Sequence, residues 1–198
     1  MFNELIQLDI TISLFFRNLI VSGDTLAPWV MVLSDFEVLL TGGLLVGLWL
    51  YGVYKKEVGY KIIALDIFYA IMLAFLVYWI LQFGLPMRPR PESITSLPPL
   101  INHLPDNSFP SGHAIFAGAS VVAIGYFFSM SVSSLFAFFG VIMLLCRVIS
   151  GVHYFGDVFV GVIIGALLAR LYIVYRDKNG IKTPWHTIPL KLASIFKL

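Results

Sequence analysis

The stretch Ile62–Phe83, IIALDIFYAIMLAFLVYWILQF, interrupts an apolar and aromatic run only with Asp66 near its start and Gln82 near its end. A helix rises about 1.5 Å per residue, so roughly 17–25 apolar residues cross the ~30 Å hydrocarbon core of a bilayer. The run therefore predicts a transmembrane helix. Four further stretches read the same way: about Val38–Tyr54, Ala114–Met130, Val132–Ile149 and Val158–Tyr175. Gly42, Gly43, Gly47, Gly118, Gly125, Gly140, Gly161 and Gly165 are scattered through them, and small residues let helix backbones approach closely in a membrane.

Composition agrees. Of 198 residues, 59% are hydrophobic and 12% charged, and the mean hydropathy is +0.91. One water-soluble core could not hide so much apolar surface. The expected fold class is an all-α, polytopic transmembrane helix bundle forming a single domain over residues 1–198. A net charge of +2 gives no basic field for nucleic acid, and one cysteine, Cys146, excludes an internal disulfide. No protein partner is implied.

Leu5–Val21 mixes Gln7, Asp9, Thr11, Ser13, Arg17 and Asn18 with apolar residues, which predicts an amphipathic helix lying in the interface. A sixth span is the alternative. Glu4 and Asp9 stand where a cleaved signal would be basic, so the N-terminus is expected to be retained. Asp24, Pro28, Asp35 and Glu37 predict a polar, broken stretch before the first clear span, with Asp35 and Glu37 as a solvated border. Arg17, Arg170 and Arg176 read as snorkelling anchors. His103, in a loop without an evident partner, and His186, in the tail, read as structural, as does Asp66.

Lys55, Lys56 and Lys61 lie between the first two spans, and Arg170, Arg176, Lys178, Lys182, Lys191 and Lys197 lie at or after the last. With five spans these regions share a face, which the positive-inside rule makes cytoplasmic. Three polar segments fall on the opposite face. They are Arg88-Pro89-Arg90-Pro91, Pro110-Ser111-Gly112-His113, and Arg147-x5-His153-x3-Asp157. Their chemistry is coherent. Arginine forks match phosphate oxygens, and Ser111-Gly112 opens a helix whose free N–H groups favour an anion. The two histidines supply a nucleophile and a proton donor. Asp157, one helical turn beyond His153, can hold an imidazole nitrogen.

At these residues the chain resembles the type 2 phosphatidic acid phosphatase (PAP2) superfamily, whose pattern is Lys-x6-Arg-Pro, Pro-Ser-Gly-His and Ser-Arg-x5-His-x3-Asp. Two departures stand out. The family lysine falls at Phe83, counting from Arg90, or at Leu81, counting from Arg88, with Gln82 the nearest polar residue. Cys146 replaces the serine before Arg147. Each departure is expected to remove a phosphate ligand. The resemblance implies a metal-independent phosphatase without cofactor, acting on a membrane lipid phosphate or pyrophosphate. Lipid A 1-phosphate, undecaprenyl pyrophosphate and phosphatidylglycerophosphate are the candidate substrates. The site would face the outside of the cytoplasmic membrane. It also implies that His153 attacks phosphorus, that Asp157 orients it, and that His113 protonates the leaving oxygen. Arg88 or Arg90, with Ser111, Gly112 and Arg147, would hold the phosphate. A lipid phosphotransferase, a non-catalytic lipid-phosphate binder and, remotely, a haloperoxidase are the alternatives.

Overall fold

A computed structural model describes residues 2–20, 24–95, 98–103, 106–180 and 184–195. The chain is all-helical over the regular elements described: α1 (Phe2–Arg17), α2 (Ala27–Leu33), α3 (Phe36–Lys55), α4 (Val58–Gly84), a 3-10 turn at Pro91–Ile94, α5 (Gly112–Phe127), α6 (Met130–Ile149), α7 (Phe155–Asn179) and α8 (Pro184–Ile195). Ala27–Lys55, Val58–Gly84, Met130–Ile149 and Phe155–Asn179 are long and apolar enough to cross a membrane, and a third or less of the most apolar window of each is buried inside the protein. Leu39, Val46 and Leu50 on α3, and Leu167 and Leu171 on α7, point outward. In a bilayer such side chains meet acyl chains, so lipid completes the burial that a soluble fold would need a larger core to supply.

The five predicted spans map onto α3 to α7, but α5 is unlike the rest. It begins at Gly112 and ends at Phe127, shorter than the predicted Ala114–Met130. It is the central post of the bundle, packed by α3, α4, α6 and most extensively α7. The reason is side-chain size. A Cβ on Gly118 would sit 2.2 Å from the Val162 carbonyl oxygen, and one on Gly165 2.0 Å from that of Ile115. Only glycine permits this backbone-on-backbone crossing.

Several expectations are corrected. The stretch before the first span is not broken coil: α2 and α3 run almost continuously, with a turn only at Ser34–Asp35. Glu37 is no solvated border. It is fully buried and accepts hydrogen bonds from Thr41 (3.0 Å), one turn on, and from Ser120 of α5 (2.6 Å). Arg17 is not a snorkelling anchor either. Its guanidinium is buried and donates to the carbonyls of Ile20 (2.8 Å) and Pro98, over Gly151, which takes the left-handed conformation. Helix α1 buries Ser13 and Arg17 against the bundle and turns Leu5, Leu8 and Phe15 outward, as an interfacial helix would. Val21 lies outside the described residues.

Helix α8 was not legible as an element. Tyr69 donates to the carbonyl of Trp185 (2.6 Å), and His186 contacts Asp66 at 2.8 Å. Asp66 is fully buried and also binds the Tyr172 hydroxyl (2.8 Å) and Arg176 (3.1 Å). Arg176 is therefore an internal counter-ion, not a lipid-facing anchor.

Candidate active site

The C-terminal end of α4, the start of α5 and the α6–α7 junction enclose a cavity of about 220 Å³. Tyr78, Arg90, Gly112, His113, Arg147 and His153 line it together with Asn102, His103, Asp106 and Val152. Residues from three separate sequence segments thus meet in one place.

His153 is buried on the loop between α6 and α7, with its Nδ1 2.9 Å from the Ser108 carbonyl oxygen. A carbonyl can only accept, so the proton sits on Nδ1 and Nε2 carries the lone pair. Burial, ahead of the neighbouring arginine charges, pushes the imidazole below the ordinary histidine range and keeps it neutral. That is the form a nucleophile requires. Arg90 approaches Nε2 at 3.4 Å while donating to the Val152 carbonyl (2.6 Å) and to Asp106.

Asp157 does not bond His153 directly; its carboxylate stands 3.8 Å from Nδ1. Its oxygens are taken by Arg88 (2.5 Å), the Ser108 hydroxyl (2.5 Å) and the Tyr154 amide (3.0 Å). Ser108 therefore links the two, giving its hydroxyl to Asp157 and its carbonyl to His153. Arg88 is spent in the same way. It pairs with Asp9 of α1 (2.6 Å) and Asp157, stacked 4.0 Å over the Tyr154 ring, and does not line the cavity. Arg90 is the arginine of the cavity.

Ser111 stands at the N-cap of α5, fully buried and not itself in the cavity lining, and among the described residues neither its hydroxyl nor the buried Nε atoms of Arg90 and Arg147 have a hydrogen-bond partner. Such donors are costly unless an acceptor meets them. Gly112 belongs to the cavity because Tyr78 lies over it, 3.1 Å from where a Cβ would stand. His113 Nε2 meets Asp35 at 2.8 Å, and Arg147 Nη2 lies 2.5 Å from Nδ1 and 2.6 Å from Nε2 of the same ring.

The two departures resolve differently. Phe83 points outward and Leu81 is not in the cavity wall, whereas Gln82 is buried and donates to the Asn107 carbonyl (3.0 Å). Cys146 is not a failed phosphate ligand. It sits in an apolar cluster with Ile20, Ala27, Val30 and Leu100, away from the cavity, so that expectation is withdrawn. His103, expected to be unpartnered, contacts Glu92 at 2.7 Å.

Sequence reasoning missed Ser108, Tyr78, Asp35 and Asp9. Tyr78 carried a faint signal, one helical turn before Gln82 on the same face. Asp9 and Ser13 accept from the amides of Gly156 (2.7 Å) and Phe155 (2.9 Å), capping α7 from another helix, and no local pattern reveals that.

Comparison with known proteins gives a consistent picture. The model of the PAP2 superfamily matches residues 63–181. LpxE of Aquifex aeolicus superposes with a TM-score of 0.66 at 22% identity, covering 85% of this chain and 96% of that one. A transmembrane PAP2-type phosphatidylglycerolphosphate phosphatase of Bacillus subtilis superposes with a TM-score of 0.68 at 21% identity, covering 91% and 90%. A search of curated protein sequences gave no match.

Proposed function

The chain belongs to the PAP2 superfamily, and from that premise we propose that it is a membrane phosphatase that hydrolyses lipid phosphates or pyrophosphates through a phosphohistidine on His153. One observation carries the reading. His153, its Nδ1 held by a backbone carbonyl, shares a small cavity with Arg90, Arg147 and a second histidine, and the Nε atoms of both arginines are buried without a partner among the described residues.

His153 Nε2 attacks phosphorus in line, so an N–P bond forms as the P–O bond to the lipid breaks. His113 delivers a proton to the leaving oxygen. Water then attacks the phosphohistidine and gives a proton back to His113; the N–P bond breaks and inorganic phosphate leaves. Arg90, Arg147, Ser111 and the Gly112 amide at the start of α5 hold the phosphoryl oxygens and balance the developing charge. Asp157 acts through Ser108.

The orientation belongs to the same reading. Lys55, Lys56, Arg170 and Lys178 lie toward the Asp66 end of the bundle, and by the positive-inside rule this supports a cytoplasmic position for that end and an outer-face position for the site. Lipid A 1-phosphate, undecaprenyl pyrophosphate and phosphatidylglycerophosphate are the substrates to test. Purified protein incubated with this panel should release inorganic phosphate and, on acid-free quenching, carry base-stable phosphate on histidine. Phosphorylated lipid acceptor formed without inorganic phosphate would make it a phosphotransferase. Binding without turnover would make it a lipid-phosphate binder.

A further inference from the structure

We infer that Asp35 is the positioning carboxylate for His113, holding imidazole Nε2 so that the opposite ring nitrogen serves the leaving oxygen. The inference rests on the phosphatase reading above and deepens it. Asp35 occupies the N-cap of α3, where an aspartate ordinarily accepts from the first free amides of its own helix. Here it makes no such bond. Its carboxylate reaches across to α5 and meets His113 Nε2 at 2.8 Å, with Arg147 at 3.7 Å.

The surrounding turn explains why it can. Ser34 and Glu37 on either side are fully buried, Ser34 donating to the Val30 carbonyl (2.6 Å) and Glu37 held by Thr41 and Ser120. Phe36 packs on Phe139 at 4.9 Å. The backbone is thus anchored by its neighbours, while the Asp35 side chain remains 57% exposed. A side chain that open is not needed to seal the core; its use is the contact it makes.

That contact has a chemical consequence. The carboxylate can only accept, and the Arg147 guanidinium can only donate. Nε2 therefore carries a proton toward Asp35, and Nδ1, which meets Arg147 Nη2 at 2.5 Å, is the nitrogen that exchanges a proton with substrate once the guanidinium turns to the phosphoryl oxygens. An imidazolium formed there would face Arg147, Arg90 and His153, with the Tyr78 ring also on the cavity wall. Asp106, also on that wall, is already bound to Arg90. Asp35 supplies the negative charge that makes the cationic ring tolerable beside the arginines. It lies outside residues 63–181, so the family motifs do not include it.

The test compares leaving groups, because only loss of proton donation discriminates between them. Phosphate release is measured as kcat/KM on dioctanoylglycerol phosphate and on p-nitrophenyl phosphate, whose phenolate leaves without help. Asp35→Asn should lose about 10- to 10²-fold on the lipid and stay within about threefold on the aryl phosphate. His113→Ala should show the same pattern more strongly, and Asp35→Glu should recover most of the lipid activity. Equal losses on both substrates, or no loss on either, would overturn the role. A wild-type protein that releases phosphate from neither probe nor any lipid phosphate would instead overturn the phosphatase reading beneath it.

Discussion

Asp157 and Asp66 stand at opposite ends of the bundle in closely matched settings. Each is fully buried, each binds an arginine and a hydroxyl, and each has a histidine nearby. They differ in what remains after the carboxylate is satisfied. At the Asp66 end, Arg176, Tyr172 and His186 all converge on the acid, and His186 contacts it directly at 2.8 Å. The adjoining groove is walled mainly by Leu73, Leu76, Leu171 and aromatic rings. At the Asp157 end, Arg88 takes the acid while Arg90 and Arg147 belong to the cavity, and His153 turns its other nitrogen to a backbone carbonyl. An ion-pair cluster ties helices together; the same cluster, joined through Ser108 to a histidine that faces a cavity lined by two further arginines, is the one we propose serves a reaction. Sharing residue types therefore says little about role.

The largest difference is expected at the two histidines. His153→Ala should reduce phosphate release by about 10⁴-fold or more, since no other group takes over the nucleophile. His186→Ala should leave kcat/KM of folded protein within about twofold and lower the melting temperature, because it strips one partner from a buried acid. Comparable loss of turnover in both would erase the distinction.

The carboxylates themselves sharpen it. Where an acid alone sets the tautomer of a catalytic histidine, its amide variant costs ~10⁴-fold. In this chain the Ser108 carbonyl sets the tautomer, so Asp157→Asn should cost less, about 10²-fold in kcat. Asp66→Asn should move thermal stability while leaving kcat unchanged. Steady-state kinetics beside thermal melts on both variants separates these outcomes.

The smallest effect is expected at Cys146. Serine there resembles the family pattern, but the side chain sits in an apolar cluster and does not line the cavity. Cys146→Ser should destabilise by about 1 kcal/mol, the cost of a hydroxyl placed among apolar side chains, with phosphate release per folded molecule unchanged. A gain in activity would return Cys146 to the phosphate site and contradict the packing described.

The bundle and the polar segments that converge on the cavity were legible in the sequence for simple physical reasons. Lipid as solvent demands long apolar helices, which show as unbroken runs such as Ile62–Phe83. Arg90, Ser111, Gly112, His113, Arg147 and His153 stand in short segments whose polar character has no other use at a span end. What the tertiary structure alone decided is which polar groups meet which. Arg88 and Arg90 are two residues apart in one motif, yet one braces Asp157 and the other lines the cavity, because the extended chain after α4 turns them to different neighbours. Glu37, Arg17 and Arg176 look like exposed or snorkelling charges until helices distant in sequence bring hydroxyls, carbonyls and counter-ions to them. Asp9, Asp35 and Ser108 acquire roles only by contact across elements. Periodicity and local spacing record how a segment meets its solvent; a hydrogen bond between residues dozens of positions apart leaves no such trace in either segment, so it waits on the packed fold.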